Sequence, residues 1–166
     1  MPHHARSQGI QRSVPVLLAA MIAAMLALLP AVWVVGRTPA LDYLARHPGG
    51  RLVNAYEVSY GGGAFVVTLR SPAKADAAPD CPANWFCFWD ETSYNGYRGK
   101  LSSCGFQSLV PYYWDYRVAS AYYNLGQGAV QFRNGSTALF QIGVTNRAIP
   151  NAGYNSYWAT TVYRYC

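Results

Sequence analysis

The residues that could carry out chemistry are few, and most lie in the second half of the chain. Residues 81–166 contain four cysteines, no histidine and three carboxylic side chains, which are Asp90, Glu91 and Asp115. Without histidine, a Ser–His or Cys–His nucleophile cannot form there. Asp90 and Glu91 are adjacent, so on a strand they would point to opposite faces, which suits a glycosidase pair poorly. The sequence therefore predicts a protein that is not an enzyme.

The cysteines predict two disulfides if the chain is exported, because their number is even. Three pairings can be drawn. We favour Cys81–Cys87, which closes a short local loop, and Cys104–Cys166, which ties residue 166 back to an early strand. The alternative is a zinc site, but no Cys-x-x-Cys pair is present and the last histidine is His47. We therefore expect neither a metal nor another cofactor.

Composition favours β-structure and narrows the choice of partners. The chain of 166 residues carries 13 Lys and Arg against 7 Asp and Glu, a net charge of +6. This balance favours anionic partners, or simply solubility, but the basic residues are scattered singly and do not predict nucleic-acid binding. The chain also has 14 tyrosines. A Tyr-rich, Lys- and Glu-poor composition is typical of β-strands.

An uncharged apolar run over residues 14–35 follows Arg6 and Arg12. It predicts either a signal peptide cleaved near Ala40 or a retained membrane anchor, so residues 1–40 form the leader. In both cases the positive flank keeps the N-terminus inside and the rest is exported. We expect the protein to be secreted or held on the outer face of the membrane, with membrane contact only through residues 14–35 if they are uncleaved.

Residues 41–80 are predicted to form a hairpin and a linker. A short helix over 41–46 is followed by two β-rich runs around Tyr60-Gly61-Gly62-Gly63, and Phe65, Val67 and Leu69 share one face of the second run. Two interpretations stay open: an edge addition to the following module, or a pro-region that is later removed. The Pro- and Ala-rich residues 71–80 predict a domain boundary at residue 80.

Residues 81–166 predict a β-sandwich or small barrel, since short β-rich runs alternate with turn residues. The run from Ser108 to Asp115 reads as a loop between strands. Its Tyr112, Tyr113 and Trp114, with Arg117 beside them, are the candidate partner contact, because rigid aromatic rings give contact area at low entropic cost. The same rings would also stack on sugars.

The motif Trp89-x4-Tyr94-x-Gly96 has the form that opens a βγ-crystallin Greek key. Together with Cys81-Pro82, Trp85-Phe86-Cys87-Phe88-Trp89-Asp90, Cys104, Trp114-Asp115-Tyr116-Arg117 and Cys166, it resembles the secreted βγ-crystallin-like peptidase inhibitors of actinobacteria. The type member of that family inhibits metalloproteinases of the thermolysin kind. The resemblance covers residues 81–166. It implies an all-β, βγ-crystallin-like Greek-key sandwich with two disulfides, preceded by the signal or membrane helix and the β-hairpin pro-region.

The crystallin calcium motif is degenerate in this chain. Calcium needs several clustered oxygen ligands. In the candidate site from Asp115 to Ser120, Tyr116 replaces an acidic or amide residue and Ala119 lacks a hydroxyl. We therefore assign no metal ligand, with a weak calcium site at Asp115 and Ser120 as the alternative.

The function that the resemblance implies is that of a secreted, monomeric peptidase inhibitor. It would occlude the cleft of an extracellular protease, expected to be a metalloproteinase, with a disulfide-braced loop. The alternatives are a carbohydrate- or cell-envelope-binding module, with or without antimicrobial activity, and a purely structural exported domain. A protruding loop supported by a bridge would favour inhibition, and a flat row of outward aromatic rings would favour sugar binding.

Overall fold

A computed structural model describes residues 36–69 and 79–166. Within it, Arg37–Cys166 is one compact unit. The predicted leader over residues 14–35 lies outside the described residues. Among the described residues, no helix has the length and apolar character needed to cross a bilayer.

Most of the regular secondary structure in the described part of the chain is β-strand. Its helix, α1, spans Pro39–Arg46 and begins where the Thr38 hydroxyl accepts a bond from the Leu41 N–H. The strands are β1 Arg51–Asn54, β2 Glu57–Tyr60, β3 Phe65–Thr68, β4 Trp85–Trp89, β5 Arg98–Leu101, β6 Gly105–Ser108, β7 Ser120–Asn124, β8 Ala129–Asn134, β9 Thr137–Gly143, β10 Ala148–Ile149 and β11 Thr161–Tyr165.

The strands form two antiparallel sheets. The first has the order β1-β2-β3-β5-β4-β7-β10, and the second has the order β6-β11-β8-β9. The chain changes sheet between β5 and β6, between β6 and β7, between β7 and β8, and again on both sides of β10. This arrangement agrees with the predicted all-β sandwich. The narrower likeness to a βγ-crystallin Greek key stays a prediction.

The N-terminal segment, residues 37–69, contributes three strands to the first sheet. The sequence predicted two strands here, but the first β-rich run turns at Ala55 and Tyr56 and so forms both β1 and β2. Strand β3 pairs with β5 from Phe65↔Leu101 to Thr68↔Arg98. This is the packing that the edge-addition interpretation predicts. Removal of a pro-region and a domain boundary at residue 80 stay predictions.

Arg98 fastens the N-terminal segment to the module through polar contacts. Its side chain is almost fully buried. The guanidinium donates to the Thr68 hydroxyl at 2.8 Å and to the Asp80 carboxylate at 2.5 Å, and it lies 3.8 Å from Glu57 Oε1. A buried charge needs such partners because its desolvation is costly. One side chain therefore joins β3, β5 and the chain just before Cys81.

Aromatic rings from both sheets fill the core. Phe88 on β4 meets Phe132 on β8 edge-to-face, with ring centroids 5.5 Å apart. Phe65, Val67 and Leu69 are all buried, as their predicted common face requires. Burying a side chain of this size stabilises the fold by about 1.5–3 kcal/mol. The N-terminal segment is thus part of the core as well as of the sheet.

The β-rich runs predict six strands in the module, over residues 85–89, 99–101, 119–124, 129–133, 138–142 and 160–165. All six are present within one residue of these bounds. Two strands were missed. Strand β6 begins at Gly105 and alternates weakly, and β10 has only 2 residues. Neither gives the run of β-branched or aromatic residues on which a sequence-based assignment depends.

Candidate functional site

The candidate partner contact lies on a tightly folded loop between β6 and β7. Val110–Tyr112 form a single 3-10 turn, and Tyr113 and Tyr116 follow with φ values of 59° and 60°. A left-handed conformation is uncommon for a non-glycine residue and persists only where the surroundings hold it. Backbone bonds do so here: the Tyr113 N–H donates to Val110 O at 3.0 Å, and the Tyr116 N–H donates to Ala159 O at 2.9 Å.

Trp114 anchors this loop in the core. Its ring is fully buried and lies edge-to-face against Phe88 at 5.2 Å and Phe65 at 5.9 Å. A large ring fixed against β3 and β4 of the first sheet positions the backbone on either side of it. Tyr113 and Asp115 are therefore held in position by a residue that a partner cannot reach.

Arg117 braces the loop from its other end. Its guanidinium donates to Asp90 Oδ2 at 2.7 Å and to Tyr113 O at 3.3 Å, and it lies 5.1 Å above the Trp114 ring. Asp90 Oδ1 in turn accepts a bond from the Tyr97 N–H at 2.7 Å. Charge-assisted bonds of this kind are among the stronger ones in proteins. Arg117 thus connects the loop to the chain after β4.

The motif Trp89-x4-Tyr94-x-Gly96 fixes the turn that contains Asp90. Gly96 adopts a φ of 75°, and a Cβ atom at this position would collide with Asp90 Oδ1. Trp89 and Tyr94 meet edge-to-face at 5.2 Å, which folds the intervening turn back on itself. The motif therefore shapes the turn that presents Asp90 to Arg117.

Replacing Arg117 with methionine is expected to lower the free energy of unfolding by about 1–3 kcal/mol. The change keeps an unbranched apolar stem but leaves the half-buried Asp90 carboxylate without its cation. Urea denaturation followed by tryptophan fluorescence measures the effect. Arg51→Met, on the exposed edge strand β1, removes the same charge elsewhere and should change stability by less than about 0.5 kcal/mol. Equal losses in both variants would contradict this role of Arg117.

The N-terminal segment packs against two tyrosine rings of the loop. Phe65 stacks on Tyr112 with centroids 4.5 Å apart, and His47 meets the Tyr113 ring edge-on at 5.1 Å. The Tyr60 hydroxyl donates to His47 O at 2.7 Å. The loop is therefore supported by α1 and the hairpin as well as by the module.

Two tyrosines of the N-terminal segment have raised pKa values, and both shifts reflect burial. Desolvation raises the pKa of Tyr43 despite the opposing charge of Arg117, and desolvation also raises the pKa of Tyr60. Both side chains therefore stay neutral at physiological pH. They act as packing groups and not as acids or bases.

The outer side of the loop exposes apolar and aromatic groups. We call this the loop surface and define it by Val110, Tyr113, Tyr116 and Trp158. Their exposed fractions are 52%, 37%, 52% and 46%. Trp158 belongs to a second turn, Tyr154–Trp158, and its ring lies edge-on to Tyr116 at 6.0 Å. Tyr116 and Trp158 thus form a contiguous exposed pair, and contiguous apolar groups at a surface mark interaction sites more often than isolated ones do.

The four predicted contact residues occupy different places in this arrangement. Tyr113 lies on the loop surface. Tyr112 is half-buried under Phe65, Trp114 is in the core, and Arg117 is a brace. Sequence reasoning missed Val110, Tyr116 and Trp158. The available signal was a weak repeat at an offset of 41 residues, in which Asp115–Tyr122 resembles Ser156–Tyr163 and Tyr116 aligns with Tyr157. This repeat relates the two turns that meet here.

The degenerate calcium motif serves a structural purpose in the described chain. The Ser120 hydroxyl donates to Glu91 O at 2.7 Å and accepts from the Tyr94 N–H at 3.1 Å. It therefore ties β7 to the turn after β4. Among residues 36–69 and 79–166, no three His, Cys, Asp or Glu side chains are grouped to hold a metal ion.

Both predicted disulfides are present, Cys81–Cys87 and Cys104–Cys166. The second bridge fastens residues 102–104 to the end of β11. There the Gln107 amide donates to Ser103 O at 2.7 Å, and Arg164 donates to Ser102 O. The segment that a bridge supports directly is thus 102–104, whereas the loop surface is held by Trp114 and Arg117.

These features define a class of small, disulfide-stabilised β protein with a rigid, exposed aromatic loop suited to binding another macromolecule. Residues 74–138 match the model of peptidase inhibitor family I36. This part of the chain is therefore similar to a peptidase inhibitor family, and it includes the loop from Val110 to Arg117. Such a family implies a protein that is not an enzyme and whose partner is a protease. No curated protein and no solved structure gave a significant match to the chain.

Proposed function

We propose that the protein inhibits an extracellular metalloproteinase by seating the loop surface in the cleft of the protease. The observation that carries this proposal is the match to peptidase inhibitor family I36 over residues 74–138, which contain Val110, Tyr113 and Tyr116. The thermolysin-like character of the target follows from the resemblance in the cysteine and Trp-Asp-x-Arg pattern. Action outside the cell is supported by the two disulfides, which persist in oxidising compartments.

Preorganisation is the physical basis of the proposed inhibition. A loop that is already fixed loses little conformational entropy on binding, so more of its contact energy appears as affinity. Here Trp114 fixes the middle of the loop. The ion pair between Arg117 and Asp90, with an N–O distance of 2.7 Å, fixes the end of the loop. The same rigidity would slow cleavage, because a peptide held in left-handed turns cannot extend along a protease cleft.

The groups on the loop surface suit a protein partner. Tyr113, Tyr116 and Trp158 are of the types enriched at the centre of protein interfaces, and Val110 adds an aliphatic contact. Around them the loop has one acidic residue, Asp115, and Arg117 is already paired with Asp90. The surface thus offers contact area with little charge to desolvate.

Removing the rings of the loop surface should weaken inhibition. In Tyr113→Asn and Tyr116→Asn the new residue tolerates the left-handed backbone, so the loop keeps its shape. Each variant is expected to raise the apparent inhibition constant against a thermolysin-type metalloproteinase about tenfold or more, as the loss of a central aromatic residue does. Progress curves with a fluorogenic peptide give the constants.

The matched control is Tyr163→Ala, an exposed tyrosine of the second sheet. It should leave the inhibition constant unchanged within about twofold. If Tyr163→Ala abolishes inhibition and the two loop variants do not, the contact lies on the second sheet and the proposed site is wrong.

A further inference from the structure

The second sheet carries a row of aromatic rings on its outer face. Phe106 on β6 lies opposite Tyr163 on β11, and Tyr163 lies opposite Gln131 on β8. Tyr165 follows Tyr163 on the same face, with ring centroids 4.7 Å apart. We call this the ring face and define it by Phe106, Tyr163, Tyr165, Gln131 and Arg133.

The rings of this face are open to solvent and border a shallow cleft. Phe106, Tyr163 and Tyr165 are exposed by 63%, 37% and 45%. Together with Arg133, Gly135 and Ser136 they line the cleft. A cluster of exposed rings marks an interaction site more often than single exposed rings do.

The other positions of this face are polar or small. Strand register places them as Ser108, Ala129, Gln131, Arg133, Ala138, Gln141 and Thr161. None of these positions is leucine, isoleucine, valine or methionine. Leu139, at the bulge opposite Arg133, packs against the core. Protein interfaces usually combine aromatic with aliphatic groups, whereas aromatic rings flanked by amides and hydroxyls suit the apolar face and the hydroxyl edge of a sugar ring. The composition therefore favours a glycan.

Arg133 gives this face a fixed positive charge. Its guanidinium donates to the Gln131 side chain and to the carbonyls of Gly135 and Ser136. Among the described residues no carboxylate forms an ion pair with it, and the sequence from 116 to 166 contains no Asp or Glu. A cation that is held in place but not neutralised favours an anionic ligand.

We propose that the ring face is a binding site for an anionic polysaccharide that carries carboxylate groups. Its sugar rings stack on Tyr163, Tyr165 and Phe106, and a carboxylate meets Arg133. The site is separate from the loop surface and does not depend on protease inhibition. The protein would thereby be held at a glycan surface with the loop surface free.

The test is calorimetric titration of the purified, oxidised protein with four uronate polysaccharides: polygalacturonate, alginate, hyaluronan and xanthan. At 0.15 M NaCl at least one should bind. Tyr163→Ala and Phe106→Ala should each weaken that binding about tenfold, the size of loss found when one stacking ring is removed from a nucleic-acid platform. The control is Tyr154→Ala, which removes a tyrosine of the turn Tyr154–Trp158 that is 76% exposed. It should leave polysaccharide binding unchanged.

Arg133→Gln separates the charge from the stacking. It should weaken binding of the uronate polysaccharide about fivefold and leave binding of the carboxyl-reduced form unchanged. The control Arg51→Gln should leave binding of both forms unchanged. Absence of binding to all four polysaccharides overturns the proposal. So does a dimer that Tyr163→Ala dissociates, because the face would then be an interface between two copies. If Tyr163→Ala loses protease inhibition while Tyr113→Asn and Tyr116→Asn keep it, the ring face is the contact with the protease. That result also overturns the proposal.

Discussion

Replacing Phe65 with alanine is expected to lower the free energy of unfolding by about 3–5 kcal/mol, the usual cost of removing a buried phenylalanine. Phe65 is fully buried, and it contacts Phe88, Tyr112 and Trp114 across the boundary that the sequence predicted at residue 80. The loss would therefore appear in the unfolding of the whole unit. Urea denaturation followed by tryptophan fluorescence measures it.

Phe106→Ala is the matched control, because it removes the same ring from an exposed position of the second sheet. It should cost less than about 1 kcal/mol. A loss below about 1 kcal/mol for Phe65→Ala would mean that the N-terminal segment is not part of the cooperative core. In that case its removal as a pro-region would be energetically easy.

The second large effect is expected from the disulfides, which should differ in their contributions. The chain-entropy estimate gives about 4 kcal/mol for Cys104–Cys166 and about 2 kcal/mol for Cys81–Cys87. The difference arises because the bridges join residues 62 and 6 positions apart. The longer closed loop removes more conformations from the unfolded chain. The double variant Cys104→Ala/Cys166→Ala should therefore be the less stable of the two.

The comparison variant is Cys81→Ala/Cys87→Ala, and both are measured by urea denaturation without reductant. Cys87 is fully buried beside Trp89, so its loss also removes packing that the entropy estimate omits. If the Cys81–Cys87 variant is nonetheless the less stable one, core packing outweighs loop entropy and the estimate fails for this protein.

Elements with a strong local pattern were predictable from the sequence. Trp85–Trp89 is the strand predicted from its aromatic run, and the alternation of Phe65, Val67 and Leu69 identified the buried face of β3. The disulfide pairing also followed from sequence position. In each case the information lies within a few residues or in the choice between a short and a long loop.

What the sequence could not give is which segments pair across the fold. The pairing of β3 with β5 crosses the linker of residues 71–80, and a polar, Pro-rich stretch carries no signal for it. The same limit applies to the candidate site. Trp114 and Tyr113 are neighbours of the same chemical kind, yet one is in the core and the other is on the surface. Only the two left-handed turns decide which ring faces inward.

The location of the ring face also depends on strand pairing that the sequence does not reveal. Phe106, Tyr163 and Tyr165 become neighbours because β6 pairs with β11, and β6 was not recognised as a strand. Without that pairing, Phe106 lies 57 positions along the chain from Tyr163. The general idea that exposed tyrosines would bind sugar could be stated from composition, but its location could not.

The most direct test of the central claim is a titration of a thermolysin-type metalloproteinase at fixed concentration with the purified, oxidised protein. Inhibition by the loop surface predicts a linear loss of peptidase activity that reaches completion at one equivalent. Prior reduction of both disulfides should abolish this effect through loss of the fold that positions the loop, because Trp114 and Arg117, and not a bridge, hold the loop directly. Full protease activity at a tenfold molar excess of the oxidised protein would contradict the claim.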